Sequence, residues 1–209
     1  MILQYLSSQI GERSEHGNQK AALLVLENPT LLDDIRNGLL QKDADLTGDC
    51  AEVCTMVAEQ DPELIAPLAD ILISLLTHKN TRVRWESMHA LALIAPFTPG
   101  LIADALPTLE SIFRNDKSII VRDNAIIAAR NLAQVGPAYA KLAYPLLNLS
   151  LTLHATKQAK HGLDGFRKSA IHLQDKKTEL EEIADLYMQS PRPSIQGAAK
   201  SLQKTLKAI

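Results

Sequence analysis

Residues 67–84 read PLADILISLLTHKNTRVR, and residues 107–122 read PTLESIFRNDKSIIVR. Each stretch places a proline early in an apolar helical pattern and ends on a Val-Arg pair that opens the next apolar pattern. The two Val-Arg pairs lie 38 residues apart, and the prolines Pro67, Pro107 and Pro145 follow one another at intervals of 40 and 38 residues. A fixed period of this length predicts a stack of helical hairpins.

Helical periodicity runs along nearly the whole chain, and no stretch alternates like a β-strand. Breaks at Gly, Pro and Asn divide it into segments that pair as hairpins. The predicted pairs are 2–10 with 15–27, 30–41 with 45–59, 63–79 with 81–95, 101–115 with 118–135, 138–156 with 159–173, and 177–189 with 194–208. Within the segment 159–173, Gly162 and Gly165 indicate a kink or a close approach of two helices, because glycine weakens a helix.

The domain prediction follows from these pairs. We predict a single repeat domain over residues 1–209, since nothing in the sequence resembles a flexible linker. Residues 1–28 are predicted to form an atypical N-terminal cap, and residues 177–209 a C-terminal cap pair. Atypical ends are expected of a repeat array, because a terminal unit must expose a polar outer face.

When the second helices are aligned on Arg84 and Arg122, two sets of positions, here called columns, can be distinguished. Each offset counts residues from the aligned position. The first column, at offsets −1, +3, +6 and +10, is apolar or small in every repeat. Because these offsets share one helix face, this column is predicted to form the core between hairpins. The second column, at offsets +1, +2, +5 and +8, changes chemistry from repeat to repeat. It is predicted to lie near the solvent edge.

The proline, the Val-Arg pair and the small residues beyond it resemble the HEAT repeat. Pro67 with Arg84 and Pro107 with Arg122 match best, whereas Pro145 is a partial match because Lys160 replaces the arginine. The resemblance implies an all-α fold, a right-handed α-α superhelix of about five to six helical hairpins. It further implies a scaffold that binds a partner along a concave face lined by the second helices, with the two arginines tying repeats together.

The variable column is the predicted partner-binding surface. Its candidate residues are Trp85, Glu86, His89, Asp123, Asn124, Arg130, His161 and Lys168. Trp85 is the only tryptophan in the chain, and tryptophan is a frequent anchor of protein interfaces. A large side chain at this position could equally fill the groove between two second helices, so both interpretations of Trp85 stay open.

The charge is balanced overall but unevenly distributed. A net charge of −2 gives no general case for binding nucleic acid or a membrane surface. Residues 1–104 contain 7 Lys and Arg against 15 Asp and Glu, whereas residues 105–209 contain 15 against 9. Solvated helix faces explain such a split; alternatively, the basic half meets an anionic partner.

The cysteines and the lengths of the apolar runs indicate in which cellular compartment the protein is expected. No apolar run is long enough to span a bilayer, and the N-terminal residues show no signal-peptide pattern. Cys50 and Cys54, the only cysteines, imply no disulfide framework. A cytoplasmic protein is therefore expected. The two thiols share one helix face and could contribute to a zinc site, but no nearby Cys or His completes a ligand set, so we interpret them as core residues.

No nucleophile motif, phosphate-binding loop or metal-ligand set is evident, so neither catalysis nor a cofactor is predicted. The leading hypothesis is a non-enzymatic scaffold for a protein partner. The alternative is a nucleic-acid-binding HEAT-like protein related in architecture to DNA glycosylases that act on alkylated bases, in which Trp85 and Asp123 would supply aromatic and acidic groups. No particular residue supports a lyase role like that of HEAT-like proteins that handle bilin chromophores.

Overall fold

The computed structural model describes residues 1–209 and is all-α, with twelve α-helices, several short 3₁₀ segments and no strand. The helices are α1 His16–Glu27, α2 Leu32–Leu39, α3 Ala44–Ala58, α4 Pro62–Ile65, α5 Ala69–Ser74, α6 Thr81–Ile94, α7 Pro99–Asn115, α8 Ile119–Ala133, α9 Pro137–Thr152, α10 Ala155–Ser169, α11 Lys177–Met188 and α12 Pro193–Leu206. None of them combines the length and hydrophobicity required to traverse a lipid bilayer.

The chain divides into two compact units, Met1–Leu101 and Ile102–Ile209. In the first unit, α3 packs against α1, α2 and α6, and α6 also packs against α4 and α5. In the second unit, α10 packs against α8, α9 and α12, α8 packs against α9, and α11 packs against α12. Second helices of successive hairpins therefore lie side by side within each unit. The prediction of a single domain stays a prediction.

The second helices begin where their sequences provide a cap. Asn80 Oδ1 accepts hydrogen bonds from the backbone N–H groups of Arg82 and Val83 at the start of α6. Ser118 Oγ accepts one from Val121 N at the start of α8. Both caps stand four residues before the arginine of a Val-Arg pair. An N-terminal cap satisfies backbone donors that have no partner within the helix, which fixes the first turn of these helices.

The predicted core column is confirmed. The residues at offsets −1, +3, +6 and +10 are buried in all five aligned helices, apart from Leu46, which is half-buried. A glycine outside this column also lets two helices approach closely. At Gly162 on α10, an added Cβ would lie 2.1 Å from Ser150 Oγ and 2.8 Å from the backbone oxygen of Leu147, both on α9. The close approach indicated by this glycine is thus present.

Several predicted boundaries were wrong. The segment 2–10 forms only a 3₁₀ turn at Ile2–Tyr5. The predicted helix 63–79 is interrupted by a 3₁₀ segment, Ala66–Leu68, that contains Pro67, because proline lacks a backbone N–H and crowds the preceding turn. Pro107 and Pro145, in contrast, lie inside the continuous helices α7 and α9. α9 ends at Thr152, earlier than predicted, and α10 begins right after His154, which adopts the left-handed conformation at φ 56°.

Candidate functional site

The arginines of the two Val-Arg pairs occupy equivalent places. Arg84 donates from Nη1 to the backbone oxygens of His78 at 2.8 Å and Lys79 at 3.1 Å. Arg122 donates from Nη1 to the backbone oxygen of Asp116 at 2.8 Å. In both cases the first acceptor lies six residues before the arginine, in the turn that joins the two helices of one hairpin. Each arginine thus stabilises the turn of its own hairpin.

In the first unit, α6 carries three of the predicted binding residues. Trp85 and His89 are half-buried, and burial lowers the pKa of His89, although Glu59 acts in the opposite direction. Glu86 was expected near the solvent edge but is only 5% exposed, because its offset faces the neighbouring α3. There Thr55 donates its hydroxyl to Glu86 Oε2 at 3.2 Å. Glu86 therefore belongs to the interface between two second helices.

The environment of Glu86 disfavours its charged form. Burial raises the pKa of its carboxyl group to about 7, and the negative charge of Glu52 acts in the same direction. The hydrogen bond from Thr55 and the positive charge of Arg82 oppose the shift without cancelling it. A carboxyl group with this pKa changes its ionisation near neutral pH.

A cluster of polar residues that sequence reasoning did not bring together joins α1, α3 and α6. We call Asn18, Asp49, Glu52 and Arg82 the polar cluster. Arg82 Nη2 donates to Asp49 Oδ1 and to Glu52 Oε2, both at 2.7 Å. Asn18 Nδ2 donates to the same two atoms at 2.9 and 2.6 Å. The cluster therefore holds three successive second helices of the first unit together.

The N-terminal segment completes this cluster. Ser8 N donates to Asp49 Oδ2 at 2.7 Å, and Ser7 N donates to Asn18 Oδ1 at 3.0 Å. Burial alone would raise the pKa of Asp49, but the hydrogen bonds from Ser8, Asn18 and Arg82 outweigh it and hold the pKa below its ordinary value of 3.8. Asp49 is therefore ionised and fully engaged in holding the first unit together.

A cleft of about 700 Å³ opens beside the polar cluster. Its charged lining residues are five carboxylates and two arginines, namely Glu12, Glu15, Asp45, Asp49, Glu52, Arg13 and Arg82. The excess of carboxylates makes this part of the first unit an acidic surface. Only Asp49 and Glu52 of these belong to the variable column of the second helices.

In the second unit, Asp123 and His161 lie on the adjacent helices α8 and α10. His161 Nε2 is 3.9 Å from Asp123 Oδ1, and Gln158 Nε2 donates to the same oxygen at 2.9 Å. Burial lowers the pKa of His161, although Asp123 acts in the opposite direction. His161 Nδ1 and Gln158 Oε1 are buried without a hydrogen-bond partner. Asn124, expected near the solvent edge, is 7% exposed; its offset is that of Glu86 on α6.

Arg130 and Lys168 occupy one offset, +8, on α8 and α10, and Lys204 occupies it on α12. We call these three residues the basic row. Arg130 is half-buried, and Lys168 and Lys204 are exposed. Burial lowers the pKa of Arg130, and burial together with the positive charges of Arg130 and Arg167 lowers the pKa of Lys168. Arg130 and Lys168 thus place like charges on the neighbouring helices α8 and α10, and Lys204 continues the same offset on α12.

The cysteines are free and fully buried on α3, as the core interpretation predicts. Burial raises the pKa of the Cys50 thiol to about 12 and that of Cys54 further still. No group of three or more His, Cys, Asp or Glu side chains is arranged to hold a metal ion. The remaining motif positions, Pro67, Pro107 and Pro145, are exposed on first helices.

Comparison with known proteins supports the architecture. No family model and no curated protein matches the chain. A designed armadillo repeat protein in complex with the peptide (KR)4 superposes with a TM-score of 0.72 at 16% identity, over 98% of each chain. Computationally designed armadillo repeat proteins for modular peptide recognition give 0.71 at 18% identity, again over 98% of each chain.

A natural protein gives the same result. The archaeal HEAT-like repeats protein from Thermococcus onnurineus NA1 superposes with a TM-score of 0.58 at 16% identity, over 92% of this chain and 93% of that one. Identities this low show the fold alone, and a fold of this kind hosts many functions. The expected fold class is confirmed: this chain has the all-α repeat fold shared by HEAT and armadillo proteins.

Proposed function

We propose that this protein is a non-enzymatic scaffold that binds a segment of a partner protein along the surface of its second helices. The proposal rests on the difference between the buried and the exposed positions of those helices. One face of each is uniformly apolar and buried, and offset +2 is buried as well, while the non-glycine side chains at offsets +1 and +5 are half-buried or exposed and differ from helix to helix. A surface that is regular in geometry and variable in chemistry suits the recognition of an extended chain.

The candidate residues fall into two groups. In the first unit the candidates are Trp85 and His89 on α6. In the second unit they lie on α8 and α10 and are Asp123, Arg130, His161 and Lys168. Glu86 and Asn124 are buried, so they support the surface from beneath rather than contact a partner. The structural neighbours described as binding or recognising peptides agree with this use of the fold.

The nucleic-acid alternative has less support. It needs Asp123 as its acidic group, but Asp123 already accepts a hydrogen bond from Gln158. For its place of action we propose the cytoplasm, since a reducing compartment suits two free buried thiols.

Selection of binding peptides from a random display library tests the proposal. Recovered peptides would be measured against the wild type, a Trp85→Ala variant and an Arg130→Ala, Lys168→Ala variant. Leu186→Ala is the control, because Leu186 is 68% exposed on the first helix α11. We expect one of the second-helix variants to weaken each peptide by about tenfold, the size of an interface anchor. Equal affinity for all variants, or no recovered peptide, would contradict the proposal.

A further inference from the structure

Charge in the second unit is divided between its two sets of helices. The second helices α8, α10 and α12 contain eight Lys and Arg against two Asp. The first helices α7, α9 and α11 contain three Lys and Arg against six Asp and Glu. The basic excess of this half of the chain is therefore concentrated on the second helices. Solubility alone does not require this separation of charge, because charged side chains of either sign, on the first or the second helices, would keep the protein in solution.

The basic row lies at the centre of this charge. Arg130, Lys168 and Lys204 share one offset on three helices, and α10 packs against both α8 and α12. No carboxylate oxygen lies within the ion-pair distance of 4.0 Å of any of the three. Arg167 adds a fourth positive charge beside them, and its own carboxylate neighbour is Asp164 at 3.8 Å. Asp164 also favours the charged forms of Arg130 and Lys168, but burial and the neighbouring positive charges outweigh it.

Such an arrangement is unfavourable in the unbound protein. Like charges on neighbouring helices repel, and their repulsion decreases when a ligand of opposite charge binds. The carboxylates that could neutralise the row are concentrated on the first helices instead. A ligand of opposite charge would relieve the repulsion that remains, which makes the row a candidate binding surface.

We propose that the basic row binds an acidic protein segment in extended conformation; this inference rests on the proposed scaffold function and names its partner class. Packed helices lie about 8–10 Å apart. Side chains on one face of an extended chain recur every two residues, about 7 Å apart, so alternate carboxylates can reach successive members of the row through the flexible basic side chains.

The surface suits a peptide better than a nucleic acid. The only Phe, Tyr or Trp on α8, α10 or α12 is Phe166, which is fully buried, so no ring is exposed there for base stacking. Asp123 and Asp164 lie on the same helices, half-buried. Their charges would repel any anion, but a nucleic acid carries a charge at every nucleotide, whereas a peptide can place uncharged residues beside the two aspartates and donate its backbone N–H groups to them.

Fluorescence anisotropy with the full chain tests the inference. The probes are a labelled peptide of Glu alternating with Gly and Ser, the same peptide with Gln for Glu, and single-stranded and duplex DNA of matching length. The test variant carries Arg130→Glu, Lys168→Glu and Lys204→Glu. The control carries Lys117→Glu, Lys141→Glu and Lys177→Glu, which changes the net charge equally but outside the second helices.

Because Arg130 is half-buried, a variant with only Lys168→Glu and Lys204→Glu serves if the triple variant fails to fold, since both lysines are exposed. We expect the Glu peptide to bind the wild type, to weaken by at least about tenfold on the row variant, and by no more than about threefold on the control. We expect the Gln peptide not to bind.

Three results would overturn the inference. They are failure of the Glu peptide to bind at low salt, equal loss in the control and row variants, and preferential binding of DNA. Selection from the random library separates this failure from that of the scaffold proposal. If recovered peptides bind the second helices but are not acidic, the scaffold function stands and the acidic partner is excluded. If no peptide is recovered on any surface, both proposals are contradicted.

Discussion

Arg82 Nη2 on α6 donates a hydrogen bond to Asp49 Oδ1 on α3 at 2.7 Å. The Asp49 side chain is only 1% exposed. Asp49 also accepts from Ser8 N and Asn18 Nδ2. Removing an acceptor that serves three donors leaves buried polar groups unpaired, so Asp49→Ala should lower the free energy of unfolding by about 3 kcal/mol.

The partner of Asp49 should be less critical. The Arg82 side chain is 37% exposed, and water screens part of its interaction, so Arg82→Ala should lower the free energy of unfolding by about 1–2 kcal/mol. Urea unfolding measures both changes. The control is Arg114→Ala, which removes an exposed i, i+4 pair with Glu110 and should change stability by less than about 0.5 kcal/mol. If Asp49→Ala were as mild as the control, the polar cluster would not stabilise the first unit.

Glu86 gives a second prediction, on pH. Its folded-state pKa of about 7 lies above its ordinary value of 4.5. Between these pH values the folded state keeps a proton that the unfolded state has lost, so the free energy of unfolding falls as pH rises from 4.5 to 7 and levels off above 7. The difference corresponds to about 3 kcal/mol.

Glu86→Gln should remove this decline, since an amide does not ionise. Urea unfolding at pH 5 and pH 8 compares the wild type, Glu86→Gln and the control Glu182→Gln, whose side chain is exposed on α11. We expect the loss of stability between the two pH values to shrink in Glu86→Gln and to stay unchanged in the control. An identical pH dependence in all three proteins would show that Glu86 ionises normally.

The buried cysteines give a third prediction. Both thiols are fully buried, and burial raises the pKa of each, so the reactive thiolate is scarce in the folded state. An aromatic disulfide reagent should label neither cysteine at pH 8 in native buffer and both in denaturant. Labelling in native buffer at the rate of a free thiol would mean that α3 opens readily, and it would contradict the burial described above.

The repeat architecture could be predicted from the sequence because it follows from local rules. The apolar column follows the helical period, and the Val-Arg pairs recur after 38 residues, so both patterns can be found in the sequence itself. The course of the chain around Pro67 could not be predicted so well. Pro67 lies in a break, whereas Pro107 lies inside a continuous helix, so the presence of a proline alone does not determine whether the helix is interrupted.

The polar positions were harder to predict for a related reason. Glu86 occupies an offset that a helical projection places near solvent, and only the position of α3 shows that it is covered. The polar cluster joins Asn18 to residues more than 30 positions away. Such pairs have no periodic signal. The sequence shows that α3 carries acidic residues, but it does not predict which side chains form hydrogen bonds with them.

Two glycines in equivalent helical settings give the last prediction. Gly162 on α10 and Gly197 on α12 both lie inside second helices, where alanine is favoured over glycine by about 1 kcal/mol. An added Cβ at Gly162 would lie 2.1 Å from Ser150 Oγ, whereas at Gly197 it would meet nothing within 4 Å. Gly162→Ala should therefore lower the free energy of unfolding by about 1–3 kcal/mol, since overpacking outweighs helix propensity.

Gly197→Ala, by the same reasoning, should raise the free energy of unfolding by up to about 1 kcal/mol. Thermal and urea unfolding followed by circular dichroism measure both variants under identical conditions. Removing Ser150 Oγ relieves the shortest contact but also loses its hydrogen bond to the backbone oxygen of Leu147, so a Gly162→Ala, Ser150→Ala double variant should recover part of the lost stability. Equal effects of the two glycine substitutions would mean that α9 and α10 are not in close contact at Gly162.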